Sequence, residues 1–106
     1  MKTILEVYVT FPDEAKAREI CNQVIVEKLA ACANIYPVQS RYIWKENFQE
    51  DTEFAALLKT DPEVLVVLTE RIKVLHPYEV PAITCWHAQA IPEYADWVYE
   101  CCRKPD

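Results

Sequence analysis

The stretch that decides the fold is Val38-Gln39-Ser40-Arg41-Tyr42-Ile43-Trp44-Lys45-Glu46-Asn47-Phe48-Gln49-Glu50-Asp51-Thr52-Glu53-Phe54-Ala55-Ala56-Leu57-Leu58-Lys59-Thr60. Its first arm alternates with the two-residue period of a strand: Val38, Ser40, Tyr42 and Trp44 share one face, Gln39, Arg41 and Ile43 the other. Glu53 to Thr60 is strand-like again, and an acidic turn lies between. The reading is a β-hairpin with arms of about ten residues, hence about 33 Å long at 3.3 Å per residue. A compact domain of this length has a radius of gyration near 13 Å, roughly a 33 Å sphere. The chain's own helices therefore cannot cover the outer half, which carries Tyr42, Ile43, Trp44, Phe48 and Phe54. Exposed aromatic strands of that length aggregate unless they are paired. A closed oligomer of identical chains is expected, with Tyr42, Trp44, Phe48 and Phe54 at its subunit interface. The alternative is a hairpin kept in water by Lys45, Glu46, Glu50, Asp51 and Glu53.

Outward from the hairpin, elements alternate. Ile4 to Phe11, rich in β-branched and aromatic residues, reads as a buried strand. Pro12-Asp13-Glu14 opens a helix in which Ala17, Ile20, Cys21, Val24 and Lys28 keep the 3.6-residue period. Ala31 to Tyr36 is strand, with Pro37 marking a bend or an edge bulge. After the hairpin, Asp61 is placed to cap a second helix with Pro62 at its first position. Val64, Leu65, Leu68, Ile72 and Leu75 form its apolar stripe, and Pro77 ends it. Ala82 to Ala90 is a further strand, and Pro92 opens a short last helix with Tyr94, Trp97, Val98 and Cys101 on one side. The order β-α-β-β-α-β plus a terminal helix is the α+β, ferredoxin-like arrangement on an antiparallel sheet, one domain over residues 1–106.

Composition narrows the class. The chain has 106 residues, 52% hydrophobic and 26% charged, with a net charge of −6. That apolar content excludes disorder. Apolar runs reach about five residues against the ~18 of a membrane span, and Glu6 interrupts the only early apolar stretch, so neither a span nor a signal peptide is expected. Scattered basic residues on an acidic chain argue against nucleic acid. Five cysteines, an odd number, read as reduced thiols in a cytoplasmic protein, most of them core fillers, Cys32 and Cys85 above all. The chain contains no glycine, hence no phosphate-cradling loop, and no nucleophile–base spacing stands out. No enzymatic activity is expected.

Candidate site residues follow from the chemistry. His76 ends a helix, as a metal ligand or as a dipole-stabilised terminator packed by its neighbours. His87, mid-strand, reads as a structural histidine. Two prolines four apart, Pro77 and Pro81, stiffen the loop that carries Tyr78 and Glu79. These two side chains form a small pocket, joined by Arg41 and Lys59 from the sheet; alternatively Tyr78 is an aromatic plug and Glu79 pairs across a subunit boundary.

Four segments together resemble the CutA family of divalent-cation tolerance proteins: Val9-Thr10-Phe11-Pro12-Asp13-Glu14; Glu27 to Pro37; Tyr42-Ile43-Trp44 followed by the acidic turn and Lys59-Thr60; and His76-Pro77-Tyr78-Glu79-Val80-Pro81. The resemblance implies a cytoplasmic homotrimer of ferredoxin-like subunits with interlocking hairpins, linked to tolerance of copper and other divalent metals, with no obligatory cofactor. It also implies copper donors at the positions of Val9, Leu75 and His76, of which His76 alone is a ligand type. Glu46 with Asn47, and Ala90 with Ile91, stand where the family usually has glycine, so Asn47 is expected to take the positive φ of the hairpin turn. The function expected is weak binding of Cu²⁺ or another divalent cation, His76 first. The alternatives are a trimeric sensor of a small anionic metabolite, similar in fold to the nitrogen-regulatory trimers, and a ligand-free assembly module.

Overall fold

The structure, a computed structural model, describes residues 1–103. Its elements are β1 (Lys2–Phe11), α1 (Glu14–Val26), β2 (Cys32–Trp44), β3 (Asn47–Thr60), a 3₁₀ turn (Pro62–Val64) running into α2 (Leu65–Leu75), β4 (Ile83–Ala90) and α3 (Pro92–Cys101). The strands form one sheet in the order β2-β3-β1-β4, and every pairing is antiparallel. This is the ferredoxin-like α+β fold the sequence order predicts.

Local chemistry sets the helix starts. The Asp13 carboxylate accepts from the Lys16 backbone N–H at 2.8 Å, and Asp61 accepts from that of Glu63 at 2.8 Å. Each satisfies one of the donors a helix N-terminus leaves unpaired. The apolar stripes then meet the sheet. Ala17, Ile20, Cys21 and Val24 of α1, with Leu68 and Ile72 of α2, bury against Val7, Val9 and Phe11 of β1 and Ala56 and Leu58 of β3.

Four expectations need correction. Pro37 makes neither bend nor bulge: β2 pairs with β3 in unbroken register from Cys32↔Lys59 to Trp44↔Asn47. β2 is an edge strand, where a proline ring facing away from the ladder removes no bond. Lys28 is not in the α1 stripe but past its end, with φ 64°. There the Leu29 N–H bonds Val24 O at 2.9 Å and the Lys28 N–H bonds Ile25 O at 3.0 Å, a Schellman cap with lysine in the usual glycine place. In the hairpin turn Lys45 and Glu46 take the positive φ values, 50° and 69°, not Asn47. Asn47 instead starts β3 and reaches back with its amide to Lys45 O at 3.2 Å. Of the thiols only Cys21 and Cys102 are buried, and Cys85 is exposed: β4 is the other edge strand, and its flank lies open.

The hairpin arms are 13 and 14 residues long, longer than the sequence alternation indicates. The molecule is accordingly drawn out to 44 × 26 × 22 Å.

Candidate functional site

The site grows from the end of α2. His76 caps the helix in an extended conformation, its N–H still bonded to Ile72 O, and its ring turns inward until the residue is only 7% exposed. The ring stacks on Phe11, centroids 5.0 Å apart. Nδ1 accepts the Tyr78 backbone N–H at 3.1 Å, and Nε2 lies 2.8 Å from Thr10 O. An acceptor at Nδ1 and a carbonyl at Nε2 fix one neutral tautomer, with the proton on Nε2 donated to Thr10. Burial holds the imidazole below its ordinary pKa.

With both nitrogens committed, the loop beyond is pinned and its side chains are directed. The Tyr78 hydroxyl donates to Glu53 Oε2 at 2.6 Å. Burial, then this bond to a carboxylate, pushes the phenol pKa up. Glu53 sits on β3 opposite Val38 and is itself 7% exposed. Farther along the hairpin the Tyr42 hydroxyl donates to Asp51, which pushes that phenol up to about 12. At the turn, Lys45 lies 3.5 Å from Glu79 and 5.7 Å above the Trp44 ring, so the hairpin tip and the proline-stiffened loop face each other.

Between them is a cavity of about 750 Å³ walled by Arg41, Tyr42, Trp44, Glu53, Tyr78 and Glu79, among others. Arg41, Tyr78 and Glu79 thus line one cavity. Lys59 does not. It lies at the far end of β3, 2.7 Å from Asn34 Oδ1 and 3.9 Å from Glu6, in a polar row that Trp86 closes through its indole N–H. Of the residues expected at a subunit interface, Tyr42 and Trp44 share one face of the hairpin. Phe48 lies on the other, opposite Ile43, and is 62% exposed. Phe54 departs from the group: it stands opposite Phe11 and packs on the core of its own chain. His87 is exposed on β4 rather than held inside. Glu53 escaped the sequence reading, which counted it among the turn charges; its one signal is sharing the β3 face of Ala55 and Leu57.

Copper donors do not assemble here. His76 has no lone pair to give, Val9 is wholly buried, and among the described residues no three His, Cys, Asp or Glu side chains are grouped to hold an ion. Nor is any described helix long and apolar enough to cross a membrane.

The family model of the CutA1 divalent ion tolerance protein matches residues 5–101. The chain belongs to the CutA family. The divalent-cation tolerance protein CutA of Thermotoga maritima is 42% identical over 89% of this chain and 94% of its own. The crystal structure of CutA1 from Pyrococcus horikoshii superposes with a TM-score of 0.91 at 38% identity, covering 94% of this chain and 99% of that one. A protein described as PII-like, CutA from Nostoc sp. PCC 7120 in apo form, superposes with a TM-score of 0.90 at 27% identity over 95% and 99% of the two chains. CutA proteins bear the name of tolerance proteins, and the fold is shared with a PII-like one.

Proposed function

We propose that this CutA chain works as a cytoplasmic homotrimer of regulatory rather than catalytic kind within divalent-cation tolerance, and that the cavity between hairpin and loop is where it receives a ligand. The observation that carries this is the hairpin itself. It extends the molecule to 44 Å, leaves Tyr42, Ile43, Trp44 and Phe48 exposed, and walls the cavity with two of the same side chains. Apolar surface of that kind calls for a partner, and a neighbouring copy supplies the simplest one that closes on itself. Light scattering behind a sizing column tests it: the expected mass is three times the 12.4 kDa chain, and a sharp peak at one chain mass overturns it.

Metal contact, on this reading, is weak and runs through surface carboxylates. Calorimetric titration with Cu²⁺ is expected to give the same shallow isotherm for the native protein and for His76→Ala. Tight binding lost in the variant would restore His76 as the ligand. The PII-like description of the Nostoc protein supports a sensing role, and the cavity gives that role a place in this chain.

A further inference from the structure

We propose that the cavity takes a small organic cation, an ammonium on a short carbon frame, with Glu53 as its counter-charge. The proposal rests on the reading that this cavity is the ligand-receiving part of the molecule, and it names the ligand's chemistry.

Charge matching points there. The cavity walls hold three charged side chains, Arg41, Glu53 and Glu79. Arg41 is answered by Glu50 at 3.8 Å and Glu79 by Lys45 at 3.5 Å, and both pairs stand largely in water. Glu53 is different. It is more than nine-tenths buried, and among the described residues its side chain bonds only the neutral Tyr78 hydroxyl, through Oε2. Oε1 has no such bond, and no described lysine, arginine or histidine reaches Glu53 as an ion pair. The nearby imidazole of His76 uses Nδ1 as an acceptor for the Tyr78 N–H and so carries no second proton to offer Glu53. A carboxylate this nearly buried, with one oxygen left unbonded and no opposite charge beside it, is a place an entering cation favours.

The remaining walls suit the same guest. Tyr42, Trp44 and Tyr78 present aromatic surface to the cavity, and ring faces attract cations, indole most strongly. The chain already uses this: Lys45 holds its ammonium over the Trp44 ring. A volume of about 750 Å³ falls in the range of small-molecule sites, roughly 300–1,000 Å³. An anion would meet Glu53 with Arg41 already engaged. A bare divalent ion wants about six oxygen ligands, and the described residues group no set of three acidic or metal-ligating side chains.

The test is tryptophan fluorescence and calorimetry on the purified protein with 1,4-diaminobutane and tetramethylammonium. 1,4-Butanediol serves as neutral match, with acetate and Mg²⁺ as the rival charges. The expected result is saturable binding of the two ammonium probes alone, weakened at least tenfold by Glu53→Gln and several-fold by Trp44→Leu, which lies outside the core. Equal response to diamine and diol, preference for acetate or Mg²⁺, or unchanged affinity in Glu53→Gln each overturns it. If Glu53→Gln does not fold, Trp44→Leu decides through the same contrast between diamine and diol. Light scattering on the same samples separates the two proposals. A monomer that binds diamine through Glu53 removes the trimer and keeps this site, while a trimer indifferent to both ammonium probes removes this site and keeps the trimer.

Discussion

His76 carries more constraints than any other side chain in the site: two hydrogen bonds, a stacking partner in Phe11, and a place at the end of α2. His76→Ala removes both bonds and leaves a hole beside Phe11, so a loss of about 3 kcal/mol is expected in urea unfolding. The pH dependence has a definite sign. Burial lowers the folded-state pKa of His76 below the roughly 6.5 of an unfolded histidine. The unfolded chain therefore binds the extra proton first, and stability falls as pH drops below about 6.5. A proton on Nδ1 would also confront the Tyr78 N–H, donor against donor. Urea midpoints from pH 8 to 5 are expected to show this decline, to keep it in His87→Asn and to lose its His76 share in His76→Asn. The sequence disclosed His76 as a helix terminator through the proline behind it. It did not disclose the neutral tautomer or the link to Thr10, because β1 and the end of α2 meet only in the folded chain. Glu53 was hidden for the same reason: a lone carboxylate near an acidic turn looks solvated until Tyr78, 25 residues on, arrives above it.

At the scale of elements, legibility follows where the signal is written. Helix starts are set by neighbouring residues, and Asp13 and Asp61-Pro62 announce them. Strand alternation shows the hairpin, though not its full length, since the polar Gln49 to Thr52 pair as readily with β2 as apolar residues would. Backbone positions with positive φ are silent in a chain without glycine. Lys28, Lys45 and Glu46 all adopt the left-handed region, each at about 1 kcal/mol or more relative to an ordinary conformation. Two consecutive positive φ values make a type I′ turn, for which Asn-Gly is the favoured pair. Lys45→Asn with Glu46→Gly is thus expected to raise the thermal midpoint by about 1 kcal/mol of stability, and Lys28→Gly to add roughly 0.5–1 at the α1 cap. A lower melting temperature in the hairpin double variant would show that the Lys45 contacts with Glu79 and Trp44 outweigh the backbone cost.

At the scale of the whole molecule, the proposed trimer makes a demand that a dimer would not. A two-fold contact places one patch against itself, whereas a three-fold ring joins two different patches on each chain. The hairpin offers one, with Tyr42 and Trp44 on one face and Ile43 and Phe48 on the other. The second has to lie on the body, where Trp86, Ile91 and Trp97 are exposed away from the hairpin. If the ring closes hairpin to body, Phe48→Arg or Trp44→Arg on one side, and Trp86→Arg or Trp97→Arg on the other, each break it alone while leaving the buried core untouched. Mixing a hairpin variant with a body variant is then expected to restore one good interface per pair, giving a species of two chain masses that neither forms by itself. Sedimentation velocity reads this directly. Self-association surviving all four single substitutions, or a mixture that remains at one chain mass, would show that the hairpin of one copy does not meet the body of the next. Because folding and assembly are linked by mass action, the melting temperature of the native protein is also expected to rise with its concentration, and that of the arginine variants to stay flat.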